Sequence, residues 1–167
     1  MTRNAQKISS LSNGIQYRSA SRVAPEARAE IIAALNRSLA DSLDLHTQIK
    51  VAHWNVRGPH FASLHPLFEQ FAVQLAGFVD AIAERAVTLG GRAATVGSSL
   101  PAYPEDVSDG LAHAAALLER FELYLETLRA TRLAAEAGGD TDTVDLLTGV
   151  VSAFEKHAWF LRATVER

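Results

Sequence analysis

Residues 92–106 read RAATVGSSLPAYPED, and this stretch decides how the rest of the chain is arranged. Gly97, Pro101 and Pro104 interrupt regular structure, so the stretch predicts an irregular connection between two long elements. Fully extended, it can span roughly 50 Å at about 3.3 Å per residue. A preceding helix of about 28 residues would be about 42 Å long. The connection can therefore return the chain to the end of the molecule from which that helix started.

Helical periodicity is found on both sides of this connection. Apolar residues recur at helical spacing over residues 25–55, where Gly58 and Pro59 follow as a stop signal. A wider apolar stripe runs from Phe61 to the glycine pair at 90–91, and two further amphipathic runs cover 107–137 and 140–167. Four helices with two short turns and one long crossover predict an all-α, ferritin-like four-helix bundle rather than an up-down-up-down bundle.

The composition is that of an ordinary globular domain. The chain has 167 residues, of which 48% are hydrophobic and 21% are charged. It lacks a long apolar run and an apolar signal region near its start, so we expect a cytoplasmic protein with no membrane segment. With no Cys, thiolate ligands are excluded, and the remaining His and carboxylate groups suit iron, manganese or zinc.

Residues 1–24 predict a flexible basic arm in front of the bundle domain of residues 25–167. They are rich in Ser, Asn, Arg and Gln and lack periodicity. No acid precedes Glu26, whereas the rest of the chain has twelve basic and nineteen acidic residues. This asymmetry predicts a non-specific contact with a polyanion such as DNA, although it also fits a merely solvated tail. The candidate DNA-binding residues are Arg3, Lys7, Arg18 and Arg22.

Five potential metal ligands lie in the first two predicted helices. His53 is near the end of the first, and His65, Glu69, Asp80 and Glu84 lie on the second. His65 and Glu69 are spaced i, i+4, and so are Asp80 and Glu84. The eleven residues from Glu69 to Asp80 turn the helix by only about 20° net, so both pairs lie on one face. Four polar groups on one face can be ordinary surface charge, but their types and spacing favour metal coordination.

One ion cannot use both pairs on one straight helix. Glu69 and Asp80 are about 16 Å apart along its axis, whereas ligand atoms lie about 2 Å from a metal. Two antiparallel copies of this helix remove the difficulty, because His65 and Glu69 of one chain then meet Asp80 and Glu84 of the other. We therefore hypothesise an intersubunit site at a two-fold interface, which His53 completes.

Three segments resemble the signature of the Dps family of mini-ferritins. The resemblance extends over about residues 27–165 and includes His65 and Glu69, although many members have Asp where this chain has Glu69. Ordinary ferritins are less similar, because they use a Glu-x-x-His motif that this chain lacks. The segments are HWNVRGPHF at His53–Phe61, DAIAERAVTLGG at Asp80–Gly91 and LPAYP at Leu100–Pro104.

The resemblance implies a ferroxidase that assembles as a hollow shell of twelve chains. His53, His65 and Glu69 would come from one chain, and Asp80 and Glu84 from its two-fold partner. Fe(II) would be oxidised there, with hydrogen peroxide preferred to dioxygen, and the ferric product stored as mineral. Zinc or manganese would also fit the site.

The resemblance also assigns roles outside the five ligands. Trp54 would lie near the iron as an electron donor, whereas core packing is the alternative role for this side chain. Asp140, Asp142 and Asp145 begin the fourth helix, where acids cap the helix and complement its dipole. The family places a three-fold pore that admits Fe(II) in this region, lined by Asp142 or Asp145.

The remaining histidines are weaker candidates. His46 lies seven residues before His53, near the same face, and could support the site from behind. His60, His113 and His157 are expected to be structural or exposed. The competing function is a nucleoid-associated shell that compacts DNA through its basic arms, and an inert bundle is disfavoured by the five-ligand geometry.

Overall fold

The computed structural model describes residues 17–94 and 96–166, and all regular structure within them is helical. The four helices are α1 (Pro25–Asn55), α2 (Phe61–Thr88), α3 (Gly110–Ala137) and α4 (Thr141–Val165). α1 packs on α2 and α3, and α3 packs on α4. The predicted ferritin-like four-helix bundle is confirmed. No helix in the described part of the chain is long and apolar enough to cross a membrane.

The ends of the helices follow local chemistry. Pro25 opens α1 at the position where a missing N–H costs nothing, and Gly90, with φ +95°, follows the end of α2. The prediction that the third helix starts at residue 107 is wrong. The Asp109 carboxylate accepts hydrogen bonds from the N–H groups of Leu111 and Ala112, and this cap fixes the start of α3 at Gly110.

The crossover therefore occupies residues 89–109 and is longer than the predicted 92–106. Asp41 of α1, only 2% exposed, anchors its first half. The Asp41 carboxylate accepts hydrogen bonds from the Ser99 N–H (2.7 Å), the Ser99 hydroxyl (2.7 Å), the Ser98 hydroxyl (3.1 Å) and the Thr127 hydroxyl of α3 (2.8 Å). A buried carboxylate with four donors is satisfied, and it holds the crossover against both helices.

A second polar pair anchors the other half of the crossover. Arg120 of α3 donates to the Gln48 side chain (2.8 Å) and to the Ala102 carbonyl (2.7 Å). The Gln48 amide in turn donates to the Pro101 carbonyl at 3.0 Å. Side chains of α1 and α3 thus hold residues 98–102 of the crossover in place.

The core between the helices is mostly aliphatic and contains a cluster of aromatic side chains. Phe121 and Tyr124 of α3 meet Phe154 of α4 edge to face, with ring centroids 5.0–5.1 Å apart. Phe71 of α2 packs on Phe121 at 5.5 Å in the same manner. His157 lies within this cluster, 4.4 Å from the Phe71 ring. This cluster joins α2, α3 and α4, and apolar residues of α1, such as Leu45 and Ile49, complete the core.

The arm is described only from Tyr17 onward, so Arg3 and Lys7 lie outside the described residues. The Tyr17 N–H donates to the Gly90 carbonyl at 2.8 Å, and the Ser19 hydroxyl donates to the Thr88 carbonyl at 2.6 Å. Arg18 and Arg22 are exposed. The segment before α1 therefore lies over the end of α2 with two cations facing outward.

Candidate metal centre

His53 and His65 hold each other in place. The Nδ1 of His53 lies 2.9 Å from the His65 carbonyl, and the Nδ1 of His65 lies 3.0 Å from the His53 carbonyl. The two rings stack with centroids 3.8 Å apart. Because a carbonyl only accepts, Nδ1 carries a hydrogen in both rings, so in the neutral tautomer Nε2 has the lone pair. This is the tautomer that a metal-binding imidazole needs.

The short turn between α1 and α2 makes this arrangement possible. Gly58, with φ +87°, adopts a backbone conformation that L side chains rarely take, and it lets α2 return beside α1. Phe61 then stacks on the outer side of His65, with ring centroids 4.9 Å apart. His53 in the last turn of α1 and His65 in the first turns of α2 therefore face the same surface.

Glu69 lies beside His53. Its Oε2 lies 3.4 Å from the Nε2 of His53, and the same oxygen accepts a hydrogen bond from the Lys50 ammonium. The Lys50 hydrogen bond is the main cause that lowers the pKa of Glu69 below its ordinary value, against a smaller opposing effect of desolvation. The carboxylate is therefore ionised and ready to bind a cation. Sequence analysis missed Lys50, although its position three residues before His53 places it on the same side of α1.

Asp80 and Glu84 lie apart from these three side chains. Both are exposed on α2, and Asp80 is about 16 Å further along the helix axis than Glu69. Within the described part of a single chain, no group of three or more His, Asp or Glu side chains is gathered closely enough to hold a metal ion. In one chain, His53 therefore contacts His65 and Glu69 without forming a metal-binding group of three, and the two other predicted ligands are exposed further along α2.

Trp54 does not pack in the core, so the alternative role considered for it is wrong. Its side chain is 65% exposed, and the Lys50 ammonium lies 5.7 Å from its ring centroid. Phe61 and Val73 are also exposed on α2. The surface that carries the candidate ligands is therefore partly apolar, which is typical of a surface that another protein chain covers.

The three acids at the start of α4 have different roles. Asp140 is buried, caps α4 through the Thr143 N–H (3.2 Å), and accepts a hydrogen bond from Arg85 of α2 at 2.6 Å. Asp142 and Asp145 are exposed. Asp140 is thus a structural residue, and Asp142 and Asp145 remain the candidates for the pore.

The other histidines divide as expected between structural and exposed positions. His113 is buried and hydrogen-bonded through Nδ1 to the Tyr103 hydroxyl at 2.7 Å, and burial lowers its pKa. Burial among aromatic rings lowers the pKa of His157 to about 4. His46 is half-buried and His60 is exposed.

Comparison with known proteins identifies the family of the chain. Residues 32–167 match the ferritin-like domain family. The DNA protection during starvation protein of Agrobacterium fabrum is 37% identical over 84% of this chain and 90% of its own length. The structure of DpsA14 from Streptomyces coelicolor superimposes with a TM-score of 0.86 at 30% identity, over 92% of this chain and 95% of that one.

A third relative is described in terms of its metal chemistry. The Dps protein of Vibrio cholerae is a member of a superfamily of ferritin-like diiron-carboxylate proteins. It is 27% identical to this chain, and the two structures superimpose with a TM-score of 0.78 over 84% of this chain and 91% of that one. The fold and the matches place the chain in the ferritin-like class. Within that class, the chain belongs to the Dps family.

Proposed function

We propose that this protein oxidises Fe(II) at sites shared between two copies of the chain and stores the ferric product, and that it thereby protects DNA. The paired His53 and His65 carry this proposal. Their contacts with backbone carbonyls are made through Nδ1 and leave both Nε2 atoms available, that of His53 beside the Glu69 carboxylate. Imidazoles and carboxylates with open positions are the ligands that non-haem iron takes.

A single antiparallel register of two α2 helices supplies the missing ligands. The register that sets His65 against Glu84 of a second copy also sets Glu69 against Asp80. At the centre of the same register, Val73 lies against Ala76. Both side chains are exposed in the single chain, and a small residue there lets two helices approach closely. The apolar contact and the gathering of the ligands therefore favour the same pairing, and because Glu69 and Asp80 are both acids, the pairing would need a cation between them.

Iron is the substrate of the proposed reaction. Two Fe(II) ions each give up one electron, and one hydrogen peroxide accepts both electrons and two protons to form two water molecules. The chain binds and orients the ions through His53, His65 and Glu69, and the partner copy adds Asp80 and Glu84. Oxidation by this route consumes iron and peroxide together, so no hydroxyl radical is released. Dioxygen is the alternative oxidant.

Further parts of the proposal follow from the family. The relatives' name, DNA protection during starvation protein, suggests that removal of iron and peroxide serves to protect DNA. A hollow shell of twelve chains would hold the ferric mineral, and Asp142 or Asp145 would admit Fe(II). Trp54, exposed next to His53, would donate an electron to a reactive oxidant.

Shells of single variants test which residues are ligands, and mixed shells test whether two chains share a site. We would measure anaerobic Fe(II) oxidation with stoichiometric peroxide by wild-type shells and by His53→Ala and Glu84→Ala shells. Both variants should fall to near background, whereas His60→Ala, which removes an exposed histidine of the same turn, should keep wild-type rates. Unchanged rates in the first two variants would contradict the proposal.

Shells reassembled from equal amounts of the two inactive variants provide the second part of this test. If the site is shared, a chain that keeps His53 and a partner that keeps Glu84 rebuild an intact site. With random pairing, about a quarter of all sites are intact, and a corresponding share of the rate should return. A site contained within one chain would give no recovery.

A second candidate function is DNA binding by the shell itself. Arg18 and Arg22 are exposed, and neither forms an ion pair with another described residue. Twelve basic arms on one particle would make many weak phosphate contacts at once. The two functions are compatible, because the arms and the candidate metal centre lie on different parts of the chain.

A further inference from the structure

Tyr103 of the crossover and His113 of α3 form a hydrogen-bonded pair. The Tyr103 hydroxyl lies 2.7 Å from the Nδ1 of His113, and the two rings are nearly parallel, with 9° between their planes. Burial raises the pKa of Tyr103 and lowers the pKa of His113. Both rings are therefore neutral at neutral pH, so the phenol can donate its proton to the imidazole nitrogen.

The two other tyrosines of the chain have different surroundings. Tyr124 is fully buried, and its hydroxyl lies 2.7 Å from the Ser42 hydroxyl, which itself donates to the Ser38 carbonyl. An alcohol accepts a hydrogen bond but does not take up a proton at neutral pH. Tyr17 is 53% exposed on the arm. Tyr103 differs from both because it is partly buried and is bonded to a neutral base.

A cavity of about 640 Å³ lies between this pair and the end of α1. Tyr103 and His113 line it together with Val51 and Asn55. Asn55 is two positions after His53, a rise of about 3 Å along the helix. The pair is therefore close to the helix end that carries a candidate iron ligand, and the cavity has room for small oxidants such as peroxide.

The reaction proposed above needs two Fe(II) ions for each hydrogen peroxide. A site that holds only one ion falls one electron short, and the peroxide then yields a one-electron oxidant such as hydroxyl radical. A phenol gives up an electron far more readily when its proton moves at once to a neighbouring base. His113 is such a base, since the Asn55 carbonyl and the Asp109 carboxylate both favour its protonated form against the larger effect of burial.

We propose that Tyr103 supplies the missing electron and that His113 takes the phenolic proton, so that the pair quenches one-electron oxidants inside the protein. The proposal rests on the function proposed above. One Fe(II) and the Tyr103 phenol each give one electron to hydrogen peroxide, which takes two protons from water and becomes two water molecules. The phenolic O–H bond breaks, its proton stays on the Nδ1 of His113, and a tyrosyl radical remains.

A second Fe(II) restores the pair. It gives one electron to the tyrosyl radical, and the proton returns from His113 to the phenol oxygen. The sum of both steps is again two Fe(II) oxidised and one peroxide reduced to two water molecules. Tyr103 thus stores one oxidising equivalent until a second ion arrives.

The experiment is freeze-quench electron paramagnetic resonance of assembled full-length shells that receive less than one Fe(II) per site and then peroxide. Wild type should show a tyrosyl radical, and its signal should narrow in protein made with ring-deuterated tyrosine. Tyr103→Phe should lose most of this signal, whereas the matched changes Tyr17→Phe and Tyr124→Phe should keep it. Absence of a tyrosyl signal in wild type, or an equal signal in Tyr103→Phe, would overturn the proposal.

The role of His113 has its own readout. His113→Gln keeps a hydrogen-bond acceptor at this position but removes the base, so the yield of the tyrosyl radical should fall several-fold. A spin trap in the same solution should collect several-fold more hydroxyl radical from Tyr103→Phe and His113→Gln shells than from Tyr17→Phe shells. An unchanged radical yield in folded His113→Gln shells would reject the imidazole as the proton acceptor.

Fe(II) oxidation in the same samples separates this inference from the proposed function. Wild-type and Tyr103→Phe shells that both oxidise Fe(II) and form the same radical would reject only the role of Tyr103. Wild-type shells that oxidise no Fe(II) would reject the proposed function, and the inference with it. Circular dichroism and gel filtration of each variant confirm that the compared particles are folded and assembled.

Discussion

The Asp41 carboxylate of α1 accepts hydrogen bonds from both the N–H and the hydroxyl of Ser99, each at 2.7 Å, although the two residues are 58 positions apart. This contact joins the crossover to the centre of α1. One buried carboxylate therefore fixes the part of the crossover that precedes Pro101, where Gln48 makes the next contact.

Replacement of Asp41 by Ala should destabilise the fold by about 2 kcal/mol, because it removes the buried acceptor of four part-buried hydrogen bonds. Thermal unfolding at fixed protein concentration measures this change. Asp44→Ala is the control, since Asp44 lies on the same helix and forms no ion pair with a described residue. A fall in Tm no larger than that of Asp44→Ala would show that the anchor is unimportant.

His157 should make the protein less stable in mild acid. Its pKa is about 4 in the fold and about 6.5 in the unfolded chain, so between these values the unfolded chain binds more protons. The free energy of unfolding should therefore fall as the pH is lowered from 6.5 to about 4, by up to about 1.4 kcal/mol per pH unit from this group. Below pH 4 this contribution no longer changes.

The pH dependence of Tm in His157→Leu tests this assignment. The variant should show a flatter profile between pH 6.5 and 4 than wild type, while His60→Leu, which changes an exposed histidine, should keep the wild-type profile. Parallel profiles for wild type and His157→Leu would assign the acid sensitivity to other groups.

Neutralisation of the exposed acids on α4 should slow iron uptake without loss of the fold. Asp142→Asn/Asp145→Asn removes two negative charges that would attract Fe(II) to a pore. The rate at which the intact shell takes up Fe(II), followed by stopped-flow absorbance, should fall several-fold and become less sensitive to salt. Unchanged uptake would exclude both acids from the path of the ion. Asp140→Asn should instead lower Tm, because Asp140 caps α4 and binds Arg85.

Removal of residues 2–22 should abolish a salt-sensitive retardation of DNA in a gel. The deletion takes away all four basic residues of the arm, and phosphate contacts of this kind weaken steeply as the salt concentration rises. An Arg18→Gln/Arg22→Gln variant should give an intermediate shift, because it keeps Arg3 and Lys7. Equal retardation by full-length and truncated shells would show that the arm does not bind DNA.

Much of the fold could be predicted because its signals are local. Apolar periodicity and the Gly and Pro stops give the bounds of α1 and the start of α2, and the crossover composition gives the bundle connectivity. The start of α3 was predicted three residues too early, because the periodicity continues through Val107 and does not reveal that Asp109 caps the helix. Local signals thus define the helices better than their first residues.

The candidate site was predicted only in part, for a different reason. The i, i+4 spacing of His65 and Glu69 is visible in the sequence, but the Lys50 ammonium reaches Glu69 only once α1 and α2 are packed together. The burial of Asp41 likewise depends on Ser99, which is distant in sequence. Trp54 was wrongly considered for the core, since hydrophobicity does not say which surface of a helix remains uncovered.

The reciprocal bonds between His53 and His65 also determine when the proposed site comes into existence. Both residues belong to one helical hairpin, so folding of a single chain is enough to orient their imidazoles. Asp80 and Glu84 would arrive only when a second chain docks. Under this proposal, a newly made chain carries only His53, His65 and Glu69 of the site and does not oxidise iron. Iron oxidation begins only in particles that have assembled correctly. Biogenesis would thus keep redox chemistry away from incomplete shells, where the ferric product could not be enclosed.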